Sequence, residues 1–248
     1  MNRILLFFAL CLLMYSCKTQ YHHVYNTEIQ HLVIDTTRIV DSHYTNQIAV
    51  YKQKIDAEMN QLIGSSAKVL SKQQPESTLG NFIADVIHDQ AEVYIGMPSD
   101  LTVINYGGLR VDYLPAGDWT IGNIFELMPF DNMLVMIEIK GSVLKEFLAL
   151  IAHKGGWPVS RHLKMTIHDK KVVNAILDNK VIEDDKIYKL VTNDYLVSGG
   201  DNCTFFIGSK QYPTGKFIRD VIVDYIRSQT AKNIIIDANI DGRISVLE

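Results

Sequence analysis

The sequence predicts a single domain of the α+β class, in which helices pack on mixed or antiparallel sheets. Several segments carry apolar residues at helical spacing, and short apolar runs typical of strands separate them. Three predicted strands follow one another between residues 163 and 192 without a helix, which does not fit the regular alternation of a doubly wound parallel sheet. Hydrophobic residues make up 47% and charged residues 21% of the 248-residue chain, which can therefore bury a sizeable core.

The first 16 residues predict a lipoprotein signal peptide (1–16) that is not part of the fold. Asn2-Arg3 supplies a short positive start, and the apolar run 4–14 is too short to span a bilayer but suits a signal-peptide core. Ser16-Cys17 follows and looks like a bacterial lipobox, in which Cys17 becomes the lipidated first residue. An ordinary signal peptide cleaved at another bond is the alternative. Residues 17–40 are polar, so we expect a tether leading to a domain over 41–248.

The cysteines and the net charge limit the chemistry of the mature chain. Cys11 would leave with the signal peptide and Cys17 would be acylated, so Cys203 would remain alone and no internal disulfide could form. A lone buried thiol is usually a small hydrophobe. The net charge of −4, without a basic cluster, argues against nucleic acid as a partner. We expect an exported lipoprotein anchored to a membrane by its lipid, on the periplasmic or cell-surface side.

The first two predicted helices lie before residue 96. Apolar residues recur over 45–63 at spacings of seven, four and three, which predicts a helix. Ser77 is a typical N-cap, and the apolar residues that start at Leu79 predict a second, amphipathic helix. Gly80 lies in its first turn, where glycine costs about 1 kcal/mol relative to alanine. Close packing and a nearby ligand both explain such a glycine.

The remaining elements are predicted by the same two periodicities and by turn residues. Strands are predicted at 101–104, 133–139, 163–167, 172–177, 187–192, 234–236 and 243–246. Helices are predicted at 120–127, after Gly141-Ser142, and around 217–226.

Three turn-rich stretches lie after or between these strands and could carry chemistry: 105–110, 129–132 and 193–201. The first contains Gly107-Gly108, and adjacent glycines let the backbone adopt a positive φ and let a ligand approach the main chain. A tight turn without a ligand is the alternative for this pair. If the stretches converge, Phe130 and Tyr195 offer two flat faces for a planar base, and Asp201 offers acceptors for a ribose diol. Core packing is the alternative for each aromatic residue, and an Asx turn is the alternative for Asp201.

In order and spacing, the three stretches resemble the C-terminal domain of the 5'-nucleotidase family, which includes ecto-5'-nucleotidase and the bacterial periplasmic UDP-sugar hydrolase. The family pattern N-x-G-G-[IL]-R is N-Y-G-G-L-R at 105–110, its P-F pair is Pro129-Phe130, and its F-L-x-x-G-G-D is Y-L-V-S-G-G-D at 195–201. The helix start x-E-x-x-x-G-N matches 75–81, and the closing D-G-R-I is 241–244. The resemblance covers roughly 41–246 and implies a layered α/β/β/α arrangement.

In that family the domain binds the nucleotide, and two aromatic side chains clamp the base. The substrate-binding residues that the resemblance implies are Asn105, Gly107, Gly108, Arg110, Phe130, Tyr195 and Asp201. Tyr195 replaces the phenylalanine of the family pattern and keeps an aromatic face for stacking. We therefore expect a nucleotide or nucleoside as the ligand.

The resemblance also assigns the polar contacts. It implies that Asn105 contacts the base or ribose, that Arg110 contacts phosphate, and that Asp201 binds the ribose hydroxyls. Pro75 stands where the family usually has an arginine, and a proline cannot bind phosphate. The preference for a nucleotide over a nucleoside is therefore open.

Full-length family members carry an upstream metallophosphoesterase domain in which two metal ions activate water. That chemistry needs an Asp-x-His, a Gly-Asn-His and a Gly-His-x-His motif. This chain has one Asp-x-His, at Asp41-Ser42-His43, and no Gly-Asn-His or Gly-His. We therefore expect no catalytic residue, metal or other cofactor in this chain, and divalent metals in a partner catalytic domain.

Three functional hypotheses follow. In the first, this lipoprotein docks with a separate metallophosphoesterase protein, and together they hydrolyse nucleotides in nucleotide catabolism. In the second, it is a stand-alone nucleotide- or nucleoside-binding lipoprotein without catalysis. In the third, it is a structural protein whose pocket no longer binds, which the presence of the aromatic pair, Asn105, Arg110 and Asp201 argues against.

Overall fold

The computed structural model describes residues 41–247, so the predicted signal peptide, Cys17 and the tether lie outside the described residues. The helices between residues 41 and 247 are α1 Ser42–Met59, α2 Thr78–Ile95, α3 Ile121–Leu127, α4 Gly141–His153, α5 Asp194–Val197 and α6 Ile218–Thr230. None of them combines the length and apolar character that crossing a bilayer requires.

Twelve short strands accompany these helices in the same part of the chain. They are β1 Leu62–Ser66, β2 Leu70–Ser71, β3 Leu101–Thr102, β4 Tyr113–Leu114, β5 Gly117–Thr120, β6 Met133–Lys140, β7 Leu163–His168, β8 Lys171–Leu177, β9 Lys180–Val181, β10 Ile187–Asn193, β11 Lys210–Phe217 and β12 Ile244–Val246. Two four-stranded sheets have the orders β11-β6-β10-β3 and β12-β7-β8-β9, and β1-β5 and β2-β4 form two-stranded sheets. Parallel pairs (β10 with β3, β12 with β7) occur beside antiparallel ones. The predicted α+β class with mixed and antiparallel sheets is confirmed.

Strand β6 separates two hydrophobic cores. Leu134 and Met136 belong to one core, together with buried residues of α2 and α6. Val135 and Ile137 belong to the other, together with buried residues of α4 and β7. Successive side chains of a strand point to opposite faces, so β6 serves both cores. This central position fixes the strand ends from which the candidate site is built.

Helix α2 begins where the sequence predicts. The Ser77 hydroxyl accepts a hydrogen bond from the main-chain N–H of Gly80 at 2.9 Å, as an N-cap does. A Cβ on Gly80 would lie 2.7 Å from this hydroxyl and 3.1 Å from Cγ of Pro158. Close packing therefore explains this glycine.

The predicted helix over 45–63 is too long at its C-terminal end. Helix α1 stops at Met59, and Leu62 and Ile63 belong to β1, which pairs with β5. Tertiary pairing overrides the helical spacing here. No residue of α1 is fully buried, so its apolar positions do not form a core-facing stripe among the described residues.

Near the C-terminus, the structure has one strand that the sequence does not predict, and one predicted strand is reduced. The sequence does not predict strand β11, because Lys210, Pro213 and Gly215 interrupt any apolar alternation. It lies at the edge of its sheet, where proline and lysine are tolerated. The predicted strand 234–236 is reduced to a single bridge between Ile236 and Ser66, while the segment 243–246 supplies β12.

Candidate ligand-binding site

The three turn-rich stretches meet because they flank neighbouring strand ends. Strand β3 runs parallel to β10, so the loops that follow these two strands leave the sheet at the same end. Strand β6 is antiparallel to β10 and places Leu134, near its start, opposite Asn193 at the end of β10. The loop that precedes β6, which contains Phe130, therefore lies at the same end of the sheet. Sheet register alone brings the stretches together.

The predicted site residues line one cavity of about 320 Å³. Its lining residues are Asn105, Gly107, Gly108, Arg110, Phe130, Asn132, Tyr195 and Asp201. All seven residues predicted from the sequence are present, and Asn132 is added. Phe130 is 50% exposed and Tyr195 is 44% exposed, which excludes core packing for either ring. The roles of these residues in binding a ligand stay a prediction.

A chain of hydrogen bonds holds the polar wall of this cavity. The buried Asn193 caps α5 by accepting from the N–H of Leu196 at 2.9 Å, and its Nδ2 donates to Oδ1 of Asn105 at 3.1 Å. Nδ2 of Asn105 in turn donates to Oδ2 of Asp201 at 2.8 Å. Both the Oδ1 and the Nδ2 of Asn105 are therefore hydrogen-bonded, and Asn105 helps to orient Asp201. The sequence places Asn193 in the third turn-rich stretch but indicates no role for it, because its bond to Asn105 joins residues 88 positions apart.

Asp201 and Tyr195 complete this wall. The Tyr195 hydroxyl contacts both the carboxylate and the main-chain N–H of Asp201. The side chain of Asp201 bonds to Asn105 and Tyr195, so the alternative of a local Asx turn does not explain it. A Cβ on Gly200 would lie 2.5 Å from Cζ of Tyr195, so the ring requires a glycine at this position. The loop therefore presents one aromatic face beside one carboxylate.

Phe130 and Arg110 form a second wall of the cavity. Cζ of Arg110 lies 5.6 Å from the centre of the Phe130 ring, and its Nη1 donates to the carbonyl of Gly107 at 3.3 Å. Within residues 41–247, no carboxylate lies within ion-pair distance of this guanidinium. The buried Arg219 holds the loop before β6, because its Nη2 donates to Oδ1 of Asp131 at 2.8 Å. Arg110 thus keeps donors that a ligand can use.

The glycine pair of the first loop acts differently from the prediction. Neither Gly107 nor Gly108 has a positive φ; they belong to a short 3-10 helix, Tyr106–Gly108. A Cβ on Gly108 would lie 3.0 Å from Oδ1 of Asn105. Gly108 is therefore needed for the close approach of the Asn105 amide. In the second loop, Gly199 does adopt a positive φ of 95°.

Comparison with known proteins decides the family. A family model described as 5'-nucleotidase, C-terminal domain matches residues 53–208. The chain belongs to this family.

Relatives of the domain are longer proteins. A 5'-nucleotidase of Vibrio parahaemolyticus is 29% identical over 179 residues, which are 70% of this chain and 30% of the relative. An NAD 5'-nucleotidase of Haemophilus influenzae is 28% identical over 165 residues, or 58% of this chain and 26% of the relative. The solved 5'-nucleotidase precursor of Thermus thermophilus shares the fold with a TM-score of 0.70 at 24% identity, covering 83% of this chain and 43% of that one. The chain thus spans less than half the length of each.

The five stretches that resemble the 5'-nucleotidase C-terminal domain fall into two groups. Three of them line the cavity. The other two, 75–81 and 241–244, meet elsewhere: Glu76 accepts from Nδ2 of Asn81 at 2.7 Å and from the N–H groups of Asp241 and Arg243, each at 2.9 Å. Pro75 does not line the cavity. These two stretches tie the end of the chain to α2.

Two other residues considered for chemistry have structural roles. Burial, helped by the Asp201 carboxylate, raises the pKa of the Cys203 thiol to about 12, so it is not a thiolate nucleophile at neutral pH. In the Asp-x-His motif, Oδ1 of Asp41 accepts from the main-chain N–H of His43 at 2.9 Å, next to the start of α1. Between residues 41 and 247, no group of three histidine, cysteine, aspartate or glutamate side chains is arranged to bind a metal ion.

Proposed function

We propose that this chain binds and positions the nucleotide in a 5'-nucleotidase-type hydrolysis, and that a separate metallophosphoesterase subunit cleaves it. The observation that carries the proposal is the pair of half-exposed rings, Phe130 and Tyr195, on one cavity with Asp201 and Arg110. Exposed aromatic side chains in a concave polar site are typical of ligand binding rather than of stability.

Each group of the cavity has a matching part of a nucleotide. A planar base that stacks on an aromatic ring gains about 1–3 kcal/mol. The carboxylate of Asp201 accepts from ribose hydroxyls, and the guanidinium of Arg110 can bind phosphate oxygens in bidentate fashion. The cavity of about 320 Å³ lies at the lower end of the range of ligand pockets. The proposed ligand is therefore a nucleoside or a small nucleotide.

The proposal assigns cleavage to another polypeptide for two reasons. The 248 residues contain no Gly-Asn-His or Gly-His motif, and no set of metal-binding side chains is assembled within residues 41–247. In hydrolases with two metal ions, the metals supply the attacking hydroxide and stabilise charge at phosphorus. We propose that the partner holds such metals. The proposed lipid at Cys17 would keep this subunit at the membrane, where it would meet the partner.

Phosphate release from AMP tests the division of labour. The purified chain should release no phosphate with Mg²⁺, Mn²⁺, Zn²⁺ or Co²⁺, and the mixture with its metallophosphoesterase partner should turn over. In the mixture, Phe130→Ala should raise KM about 10-fold or more because a stacking face is lost. The partner alone and the mixture with Tyr113→Ala, an exposed aromatic outside the cavity, are the controls. Robust phosphatase activity of the isolated chain would refute the proposal.

A second candidate is a stand-alone nucleotide- or nucleoside-binding lipoprotein. It is favoured by the lining of the cavity, in which Phe130, Tyr195, Asp201 and Arg110 already offer groups for a base, a ribose and a phosphate. Both candidates predict binding by the isolated chain. They differ when the partner is added, because only the split hydrolase converts AMP to adenosine and phosphate.

A further inference from the structure

The hydroxyl of Tyr195 makes two hydrogen bonds to the same residue. Oη donates to Oδ1 of Asp201 at 3.3 Å and accepts from the main-chain N–H of Asp201 at 3.2 Å. A phenolic hydroxyl can do both at once, because it is a donor and an acceptor. A phenylalanine at this position would keep the ring and lose both bonds.

Asp201 depends on such contacts for its orientation. Its φ of 51° lies in the left-handed region, which is uncommon for residues other than glycine. Asn105 holds Oδ2 at 2.8 Å, while Tyr195 holds Oδ1 and the amide. Each carboxylate oxygen thus has one protein donor. The plane of the carboxylate is fixed before any ligand arrives.

The acceptor positions that remain on Asp201 define a ligand chemistry. An ionised carboxylate has about four lone-pair positions, and the protein fills one on each oxygen. About one position per oxygen is left, and Asp201 lines the cavity. Two hydroxyls on adjacent carbons can satisfy both positions together. A ligand without these hydroxyls would cover the two free acceptor positions and leave them unpaired, which opposes its binding.

The same hydroxyl fixes the aromatic face. The ring of Tyr195 lies against the main chain of Gly200, where a Cβ would be 2.5 Å from Cζ, and its tip is bound to Asp201. One face of the ring is covered by the loop and the other is left for a ligand. By contrast, the Phe130 ring has no polar group, and the Arg110 guanidinium lies 5.6 Å from its centre. Only one of the two rings is tied to a polar group of the site.

We propose that the Tyr195 hydroxyl is a positioning group: by holding Asp201, it strengthens the contact of this carboxylate with the ribose hydroxyls that the proposed function assigns to it, and so increases the preference for ribose-containing ligands over their dideoxy analogues. The inference rests on the proposed function, since a nucleoside must bind before the preference can be observed. It assigns the hydroxyl a task separate from stacking, which the ring performs.

Calorimetry with two ligands tests the proposal. The wild-type chain should bind adenosine about 10-fold or more tightly than 2',3'-dideoxyadenosine. Tyr195→Phe should weaken adenosine binding about fivefold to 10-fold, up to about 1.4 kcal/mol, and change dideoxyadenosine binding less than about twofold. A purely structural role of the hydroxyl would weaken both ligands equally, and that result would overturn the proposal. So would unchanged binding of both.

A matched variant and a measurement without ligand separate the remaining outcomes. Tyr113→Phe removes the hydroxyl of an exposed tyrosine that makes no side-chain hydrogen bond within residues 41–247, and it should leave both affinities unchanged. In the free protein, the amide proton of Asp201 should exchange faster in Tyr195→Phe than in the wild type, by about fivefold. Equal exchange rates would show that the hydroxyl does not restrain Asp201. If the wild type binds neither nucleoside, the proposed function fails and the diol preference fails with it, whatever the exchange rates.

Discussion

Two polar regions of this domain use arginines in opposite ways. The cavity carries Arg110, which donates to one main-chain carbonyl and lies beside an exposed ring. The second region, here the arginine cluster, consists of Glu76, Asn81, Asp85, Asp241 and Arg243. There, Arg243 is 3% exposed and makes two short bonds to the Asp85 carboxylate, at 2.8 and 2.7 Å. One arginine is left with free donors and the other is saturated.

The difference shows that membership of a family pattern does not distinguish residues that line the cavity from residues that only stabilise the fold. Both regions contain residues of the patterns that first indicated the family. In the arginine cluster the polar groups satisfy one another: Nε of Arg243 reaches Asp241 at 3.1 Å and Nη1 reaches the carbonyl of Val159 at 2.9 Å. In the cavity, acceptors and donors remain on Asp201 and Arg110. The number of unsatisfied polar groups, rather than the motif, distinguishes the cavity from the arginine cluster.

The largest expected effect is in the arginine cluster. Arg243→Met should lower the free energy of unfolding by about 3 kcal/mol, because it removes a buried guanidinium and leaves the partly buried Asp85 carboxylate without its partner. Arg161→Met is the matched control: Arg161 also approaches Asp85, at 3.7 Å, but its side chain is 46% exposed, and it should cost at most about 1 kcal/mol. Urea unfolding measures both. Similar small losses for the two variants would contradict a saturated, buried cluster.

Lowering the pH should reduce the free energy of unfolding through the protonation of His88. This side chain is buried beside Thr102 and lies over His162, with ring centres 4.1 Å apart. Burial first, and then His162, lower the pKa of His88 from 6.5 to about 4, against the smaller opposing effect of Glu92. The unfolded chain therefore binds more protons between about pH 6.5 and 4, and stability falls as pH falls through this window.

The expected loss from His88 is about 2–3 kcal/mol between pH 7.5 and pH 4.5, since one pKa unit corresponds to about 1.4 kcal/mol. Urea midpoints at the two pH values measure it. His88→Gln, whose amide can still bond to Thr102, should show a flatter dependence on pH. If His88→Gln follows the wild-type curve, another group controls acid stability.

The next largest expected effect is the loss of binding free energy when a stacking ring is removed from the cavity. Phe130→Ala should weaken nucleoside binding by about 1–3 kcal/mol and change the free energy of unfolding by less than about 0.5 kcal/mol, because the ring is half exposed. Calorimetry and urea unfolding of the same preparation give both values. A stability loss as large as the binding loss would place Phe130 with the arginine cluster instead.

The smallest effect should come from Arg110. Arg110→Met should weaken AMP binding about fivefold, or about 1 kcal/mol, and leave adenosine binding and stability unchanged, since the guanidinium has no carboxylate partner in the described domain. Arg227→Met, which removes an arginine bonded to Gln61 rather than to a carboxylate, is the control outside the cavity. Equal losses for AMP and adenosine would show that Arg110 does not act on phosphate.

Much of the site could be predicted because it depends on local features. Turn-rich stretches after or between strands indicated Phe130, Tyr195 and Asp201 as candidates, whose roles the family resemblance supplied, and the Ser77 cap placed the start of α2. These features follow from the composition of a few neighbouring residues. The α+β class followed from the order of such segments.

What could not be predicted depends on contacts between distant residues. Asn193 and Arg219 hold the two walls of the cavity through side-chain bonds to residues 88 positions away in sequence. Strand β11 is defined by its pairing with β6 and not by its own polar sequence. The φ of Gly107 and Gly108 also depends on their surroundings, because glycine permits several conformations.

Titration of AMP into the metal-free chain by calorimetry, with inorganic phosphate assayed afterwards in the same cell, tests the central claim most directly. We predict saturable heat from one site per chain, lost in the double variant Phe130→Ala/Tyr195→Ala, and no phosphate. Adenosine and UDP-glucose, titrated in parallel, define which part of the ligand is bound. No heat with any of the three ligands would contradict a nucleotide-binding cavity, and phosphate after supplying divalent metal would contradict cleavage by a separate subunit.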